Sequence, residues 1–347
     1  MAGSTTKRVL IVLAILVCLG AAATAIYLHR ARRPMPAPAA SAGPAPNVLN
    51  ELPPNAPGVA YIDVDALRKL QGSPLAAMLG LANANPETDR DYAEFVKGTG
   101  FDYARDLDAA AIAFWIAGQA APGNDLNIDR SVAIADGRFD RAKIESYALH
   151  DHGHAIAHGT EPIYEVPGSP NVAFEFLSAT RIVLASGKDP VALLDQLKPG
   201  PRDAATRALI DRVSGAPIFA VVRTNNLPPG FYDNFKSSPQ LESMARNIQG
   251  LTLAGVPKAN DLQLALDGEC DSMAHAIEMS TLLDGFRMIG SMALSDPKTR
   301  AQMSREQAAF LTALLRDAKL SHQDRWVRLS FDVTPAMLGS SGADPKP

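Results

Sequence analysis

The stretch Lys7–Arg33 constrains this chain more than any other. Val9–Leu28 is twenty residues without a formal charge, preceded by Lys7 and Arg8 and followed by Arg30, Arg32 and Arg33. As a helix rising 1.5 Å per residue it would reach roughly 30 Å, the hydrocarbon thickness of a bilayer. The rest of the chain is expected to be carried to a membrane or held at one. Two readings stand for the stretch itself. One is an uncleaved signal anchor. The other is a secretory signal with an apolar core over Val9–Gly20, cut after Ala23-Thr24-Ala25 and before Ile26. The apolar run continues through Ile26, Tyr27 and Leu28, with Tyr27 placed like an interfacial aromatic, and this speaks for the anchor. Bulky Val17 stands against a lipoprotein reading of Cys18. The positive charge of the two flanks is similar, so it does not orient the helix; the stalk behind it speaks for export.

Residues 34–57 are rich in Pro and Ala and carry a single charge, Glu51. Such a segment buries too little apolar surface to fold and tends to extended geometry at ~3.1 Å per residue, as a stalk would. About 290 residues remain by the domain-size rule, enough for one large domain or two ordinary ones. A net charge of −4, with no basic run interleaved with aromatics, speaks against nucleic acid. Cys18 and Cys270 are the two cysteines, too few for a disulfide framework or a C-x-x-C metal or redox motif.

Val59–Val64 reads as a buried strand, with Asp65 capping a short helix after it. Ser73-Pro74 and Asn85-Pro86 each read as a helix start. Strands are expected at Ala110–Ile116 and Ser131–Ala135, then a helix capped by Asp140. Hairpin strands come next at His154–His158, Ile163–Val166, Val172–Leu177 and Arg181–Ala185, and Asp189-Pro190 opens a helix. A second passage repeats the plan. Pro217–Val222 matches Val59–Val64, Ser238-Pro239 matches Ser73-Pro74, and strands are expected at Leu251–Val256 and Leu262–Leu266. Asp136-Gly-Arg-Phe-Asp140 aligns with Asp267-Gly-Glu-Cys-Asp271, which sets Cys270 where Phe139 stands, as buried filler. The alternating Val327, Leu329, Phe331 and Val333 lead into Thr334-Pro335. The expected architecture is α+β: an N-terminal transmembrane helix within 1–33, the linker 34–57, two related halves over 58–200 and 201–338, and a tail at 339–347. Each half is a mainly antiparallel sheet with helices packed on one face.

These residues resemble an uncharacterised group of membrane-anchored bacterial envelope proteins, of the domain-of-unknown-function kind common in soil bacteria. The lead-in LPPNAPGVAYIDVDALRKL (Leu52–Leu70), the GTGFDYARDLD segment, the ADGRFDRAKI turn and the hairpin Pro162–Gly187 carry the resemblance. It implies a location and a fold and brings no catalytic residues.

Four of the seven histidines, His150, His152, His154 and His158, fall in LHDHGHAIAHG. If that stretch is extended, all four point to one face, and imidazoles so close are candidate ligands for Zn²⁺, Cu²⁺ or Ni²⁺. The competing reading is a solvated edge strand. Ser186-Gly187-Lys188 lies between a strand and a helix but lacks the phosphate-loop spacing. No nucleophile elbow, H-E-x-x-H or dinucleotide fingerprint occurs, and no motif implies a cofactor. Met273–Ala293 reads as a long Met-rich helix with Ile277, Leu282, Phe286, Ile289 and Ala293 near one stripe. It is either buried against the second sheet or an adaptable groove for a lipid or peptide. Three functions fit these features: a membrane-tethered, non-catalytic envelope protein that binds or scaffolds an unidentified partner; a metal-binding protein or metalloenzyme using the histidines; or a carrier of an apolar ligand.

Overall fold

The structure, a computed structural model, describes residues 46–69, 90–117, 128–150, 152–168, 170–198, 200–228, 230–232, 239–258, 261–297, 311–312 and 314–334. The expected anchor Val9–Leu28, the helix starts at Ser73-Pro74 and Asn85-Pro86, and the tail 339–347 lie outside these residues. Among the described residues no helix is long and apolar enough to cross a membrane.

Twelve antiparallel strands form one sheet in the order β11-β12-β10-β9-β8-β1-β2-β3-β7-β6-β5-β4. They are β1 (Gly58–Asp63), β2 (Leu107–Ile116), β3 (Ile128–Gly137), β4 (His154–His158), β5 (Glu161–Val166), β6 (Asn171–Ser178), β7 (Arg181–Gly187), β8 (Ile218–Arg223), β9 (Ile248–Lys258), β10 (Asp261–Cys270), β11 (Lys319–Gln323) and β12 (Trp326–Val333). The chain is therefore α+β with a large antiparallel sheet. Its middle is the ladder from Gly58↔Val222 to Ile62↔Ile218, which joins β1 to β8. Read outwards from that ladder, one side runs β1-β2-β3-β7-β6 and the other β8-β9-β10-β12-β11, so five strands keep the same order on each side.

Helices cover both faces, not one as the sequence suggested. The reason is in the strands: in β2, Ala111 and Ala113 are buried on one face while Phe114 and Ile116 are buried on the other. A strand that is apolar on both sides needs two covering layers. On the first face α5 (Pro190–Asp195) and α6 (Ala204–Val213) seat Leu194, Leu209, Ile210 and Val213 against Val59, Val132, Val183 and Phe219. On the second face α4 (Arg141–His150) covers Tyr164, Phe174 and Phe176 with Ala148. There α2 (Arg90–Thr99) leans on α4 through the Phe95–Tyr147 edge contact. At the other end of that face lie α7 (Pro239–Asn247) and α8 (Met273–Ser295), packing Met244, Ala276 and Met279 against Ile248, Cys270 and Val327.

The short helices α1 (Val64–Arg68) and α3 (Tyr103–Asp106) are capped by Asp63 and Asp102, whose carboxylates accept from Ala66 N at 2.7 Å and Ala104 N at 3.0 Å. Asp65, expected as the first cap, instead sits inside the helix and pairs with Lys69 at 2.7 Å. The folded body also begins earlier than Gly58. Asn47–Asn50 form a 3-10 turn, and Val48, Leu49, Leu52 and Ala56 are buried in the first-face core. Buried Arg202 holds this lead-in by donating to the Leu49 and Pro53 carbonyls, each at 3.2 Å. Four apolar side chains among the prolines, clamped by an arginine far along the chain, seat residues 46–57 of the expected linker on the body; residues 34–45 lie outside the described residues.

Candidate functional site

The four histidines do not converge. His150 is the last residue of α4, and His152 takes a left-handed conformation with φ 63°. Gly153 N then donates to the Ala148 carbonyl at 3.1 Å, the six-residue closure of a Schellman stop. Two of the four are thus parts of a helix terminus, so the condition for all four to share one face, an extended stretch from His150 to His158, is not met. Only His154 and His158 lie on β4, an edge strand of the sheet. His154 Nε2 is 3.2 Å from Glu165, its cross-strand neighbour. His158 sits between two carboxylates: Asp195 lies 3.2 Å from Nε2, and Glu175 3.3 Å from Nδ1 without hydrogen-bond geometry. They approach opposite nitrogens of one ring, so they cannot close on a single ion. Among the described residues no three His, Cys, Asp or Glu side chains are placed to hold a metal.

The first face carries a feature the sequence reading missed. Asp136 in β3 faces Arg181 in β7, and the two close a bidentate pair at 2.6 and 2.8 Å. Asp267 in β10 faces Arg328 in β12 and closes the same pair at 2.5 and 2.6 Å. The two pairs occupy matching positions on the two sides of the sheet. Each aspartate precedes a glycine, so the aligned Asp-Gly dipeptides were half of the signal. The arginines were the other half, and only strand pairing reveals them. Glu51 joins the first pair at 2.6 Å, and Arg212 joins the second at 2.6 Å while stacking 4.0 Å over Trp326. Glu269, two residues on, lies 2.7 Å from Arg325 and 3.7 Å from Arg223. These carboxylates are committed to arginines. Bidentate pairing of this kind fixes the geometry of both partners. Arg181 is held further into its charged form by Asp136.

The second face holds a small crevice between α8 and the sheet, with a cavity volume of about 40 Å³, room for a few water-sized groups. Ile248, Leu251 and Leu266 line it with Met279, Leu283 and Val327, and Gly268 opens its floor by contributing no side chain. Its lining surface is wholly apolar. Cys270 also faces it as a free, fully buried thiol. Burial first, then the charges of Asp271 and Glu269, push that thiol up to about 11 from its ordinary 9.0. A thiol so held is a small apolar wall atom and an unactivated nucleophile.

The chain matches no family model and no curated protein. Solved structures of a protein named TP0453 are similar in outline. Crystal form III aligns at 10% identity over 84% of this chain and 95% of that one, with a TM-score of 0.49. Form IV gives 10%, 84%, 94% and 0.47, and form I gives 11%, 84%, 94% and 0.45.

Proposed function

We propose that this chain is a membrane-tethered, non-catalytic binding or scaffold protein of a bacterial cell envelope, built as two related halves. The observation that carries the reading is the contrast between the two faces of the sheet. On one face the charged groups close on each other, whereas on the other, among the described residues, a small crevice offers apolar atoms and an unactivated thiol. The matching strand orders and the two Asp–Arg pairs support the duplication. The charge-free run Val9–Leu28 and the Pro/Ala-rich segment behind it support the tether, with the folded body outside the cytoplasmic membrane as in the envelope proteins it resembles.

Two measurements test this. Full-length protein should stay with the membrane after alkaline carbonate, and protease should reach it in spheroplasts but not in intact cells. A mature N-terminus at Ile26 would remove the tether.

A further inference from the structure

The outer side of α8 is as apolar as its inner side. Met273 and Met292 are 60% and 69% exposed, and Ile277, Met288 and Ile289 join them at the surface. At 100° per residue, Met273, Ile277, Thr281, Asp284, Met288 and Met292 fall within an arc of about 100°. The buried positions Ala276, Met279 and Leu294 lie on the other side of the helix. Large apolar side chains gathered on one surface mark an interaction site more often than chance exposure does.

The spacing of this row says what covers it. Met273 and Met292 are equally distant from the midpoint between Leu282 and Leu283, and so are Ile277 and Met288, and Thr281 and Asp284. A row with mirror spacing matches its own reverse. Laid antiparallel on a second copy, Met273 of one chain meets Met292 of the other, Ile277 meets Met288, and Thr281 meets Asp284 at the centre. That is the self-complementarity a two-fold interface requires. At the centre Thr281 donates its hydroxyl to the Ile277 carbonyl at 2.9 Å, and exposed Gly285 adds no side chain, so two helix axes can approach closely there. A bilayer fits the row less well. A lipid surface reads only apolar area and would gain nothing from mirror spacing.

We propose that α8 is a self-association surface through which two copies of this chain pair antiparallel about an axis near Leu282 and Leu283. Cysteine cross-linking of the full-length chain in mild detergent, with Cys18 replaced by Ser, tests it. Thr281→Cys should give disulfide-linked dimers on mild oxidation, since the two copies of that position flank the axis. Met273→Cys alone should not, because its copies lie roughly 28 Å apart along the helices. Combining Met273→Cys with Met292→Cys should restore the dimer. Adding Met288→Lys to Thr281→Cys should cut dimer yield at least tenfold with an unchanged circular dichroism spectrum. Monomeric Thr281→Cys would overturn the proposal and leave lipid or a different protein as the occupant. Linkage of Met273→Cys alone as strong as that of Thr281→Cys, or Met288→Lys without effect, would overturn it too.

Discussion

Asp267 is 2% exposed and Arg328 4%, while Arg181 and Asp136 at the matching place are 31% and 29% exposed. The same pair therefore sits in two dielectrics, and its two versions should respond differently to the same change. Asp267→Asn leaves two arginines, Arg328 and Arg212, facing a neutral amide, and should cost about 3–5 kcal/mol in urea unfolding. Asp136→Asn should cost about 1 kcal/mol or less, because water screens the arginine it abandons. Replacing Asp267 and Arg328 together by Leu and Met should cost far less than either single change, since no uncompensated charge remains. Cys270 makes a second residue-scale test. A folded-state pKa raised to about 11 means that the native chain holds this proton more tightly than the unfolded one. The stability so gained is complete below the ordinary thiol value of 9.0 and disappears as pH rises through 11. Cys270→Ala lacks the titration, so its disadvantage against the native protein should shrink between pH 9 and 11, by at most about 2–3 kcal/mol. An unchanged difference across that window would mean that the thiol is not buried in the folded state.

At the scale of single elements, the turn between α4 and β4 shows how a helix stop can look like a metal site. Gly153 has no room for a side chain: a Cβ there would lie 2.4 Å from the Ala148 carbonyl oxygen and 2.9 Å from that of Glu165. Gly153→Ala should destabilise by more than about 1 kcal/mol, because both obstacles are backbone. His152→Gly should stabilise by up to about 1 kcal/mol, as it relieves a left-handed backbone that glycine adopts freely. Thermal unfolding of the two variants should therefore move in opposite directions. Strands were legible from the sequence because alternation and β-branched runs report burial directly, and every expected strand from Val59–Val64 to the one at Val327–Val333 has its counterpart. The exception among the described strands was β11, whose Lys-Leu-Ser-His-Gln run is too polar to announce a strand and is held by its pairing with β12. Two other features were illegible for different reasons. Met273–Ala293 is apolar on both sides, so the stripe through Ile277 and Ile289 did not say which side is buried: both are exposed, while Ala276 and Met279 face the core. Phe139, aligned with fully buried Cys270, is only partly buried and stacks on Phe101 at 5.0 Å, since an aromatic ring outgrows the space a thiol fills.

The whole molecule is shaped by where its two sides meet. Two sandwiched halves joined by a linker would unfold independently, whereas here the β1–β8 ladder makes one sheet of them. The largest core cluster crosses that seam, placing Val59, Val132 and Val183 from one side in the same cluster as Phe219, Val221 and Leu209 from the other. Arg202 stitches the seam again by holding the lead-in carbonyls of Leu49 and Pro53 from the start of the second side. Separating the sides would bare a long apolar edge on each of β1 and β8 and open this cluster, a cost shared by both. The chain should therefore unfold in one cooperative step although its length would suit two domains. Its two tryptophans report on it separately, since Trp115 lies in β2 under Arg130 and Trp326 in β12 under Arg212. Trp326→Phe leaves the first side visible and Trp115→Phe the second. The two fluorescence transitions in urea, corrected for each substitution by its own circular dichroism midpoint, should coincide in midpoint and slope. Arg202→Met should shift both by the same amount. Two transitions resolved from each other, or a shift seen by one tryptophan alone, would mean that the seam does not bind the sides and that each folds on its own core.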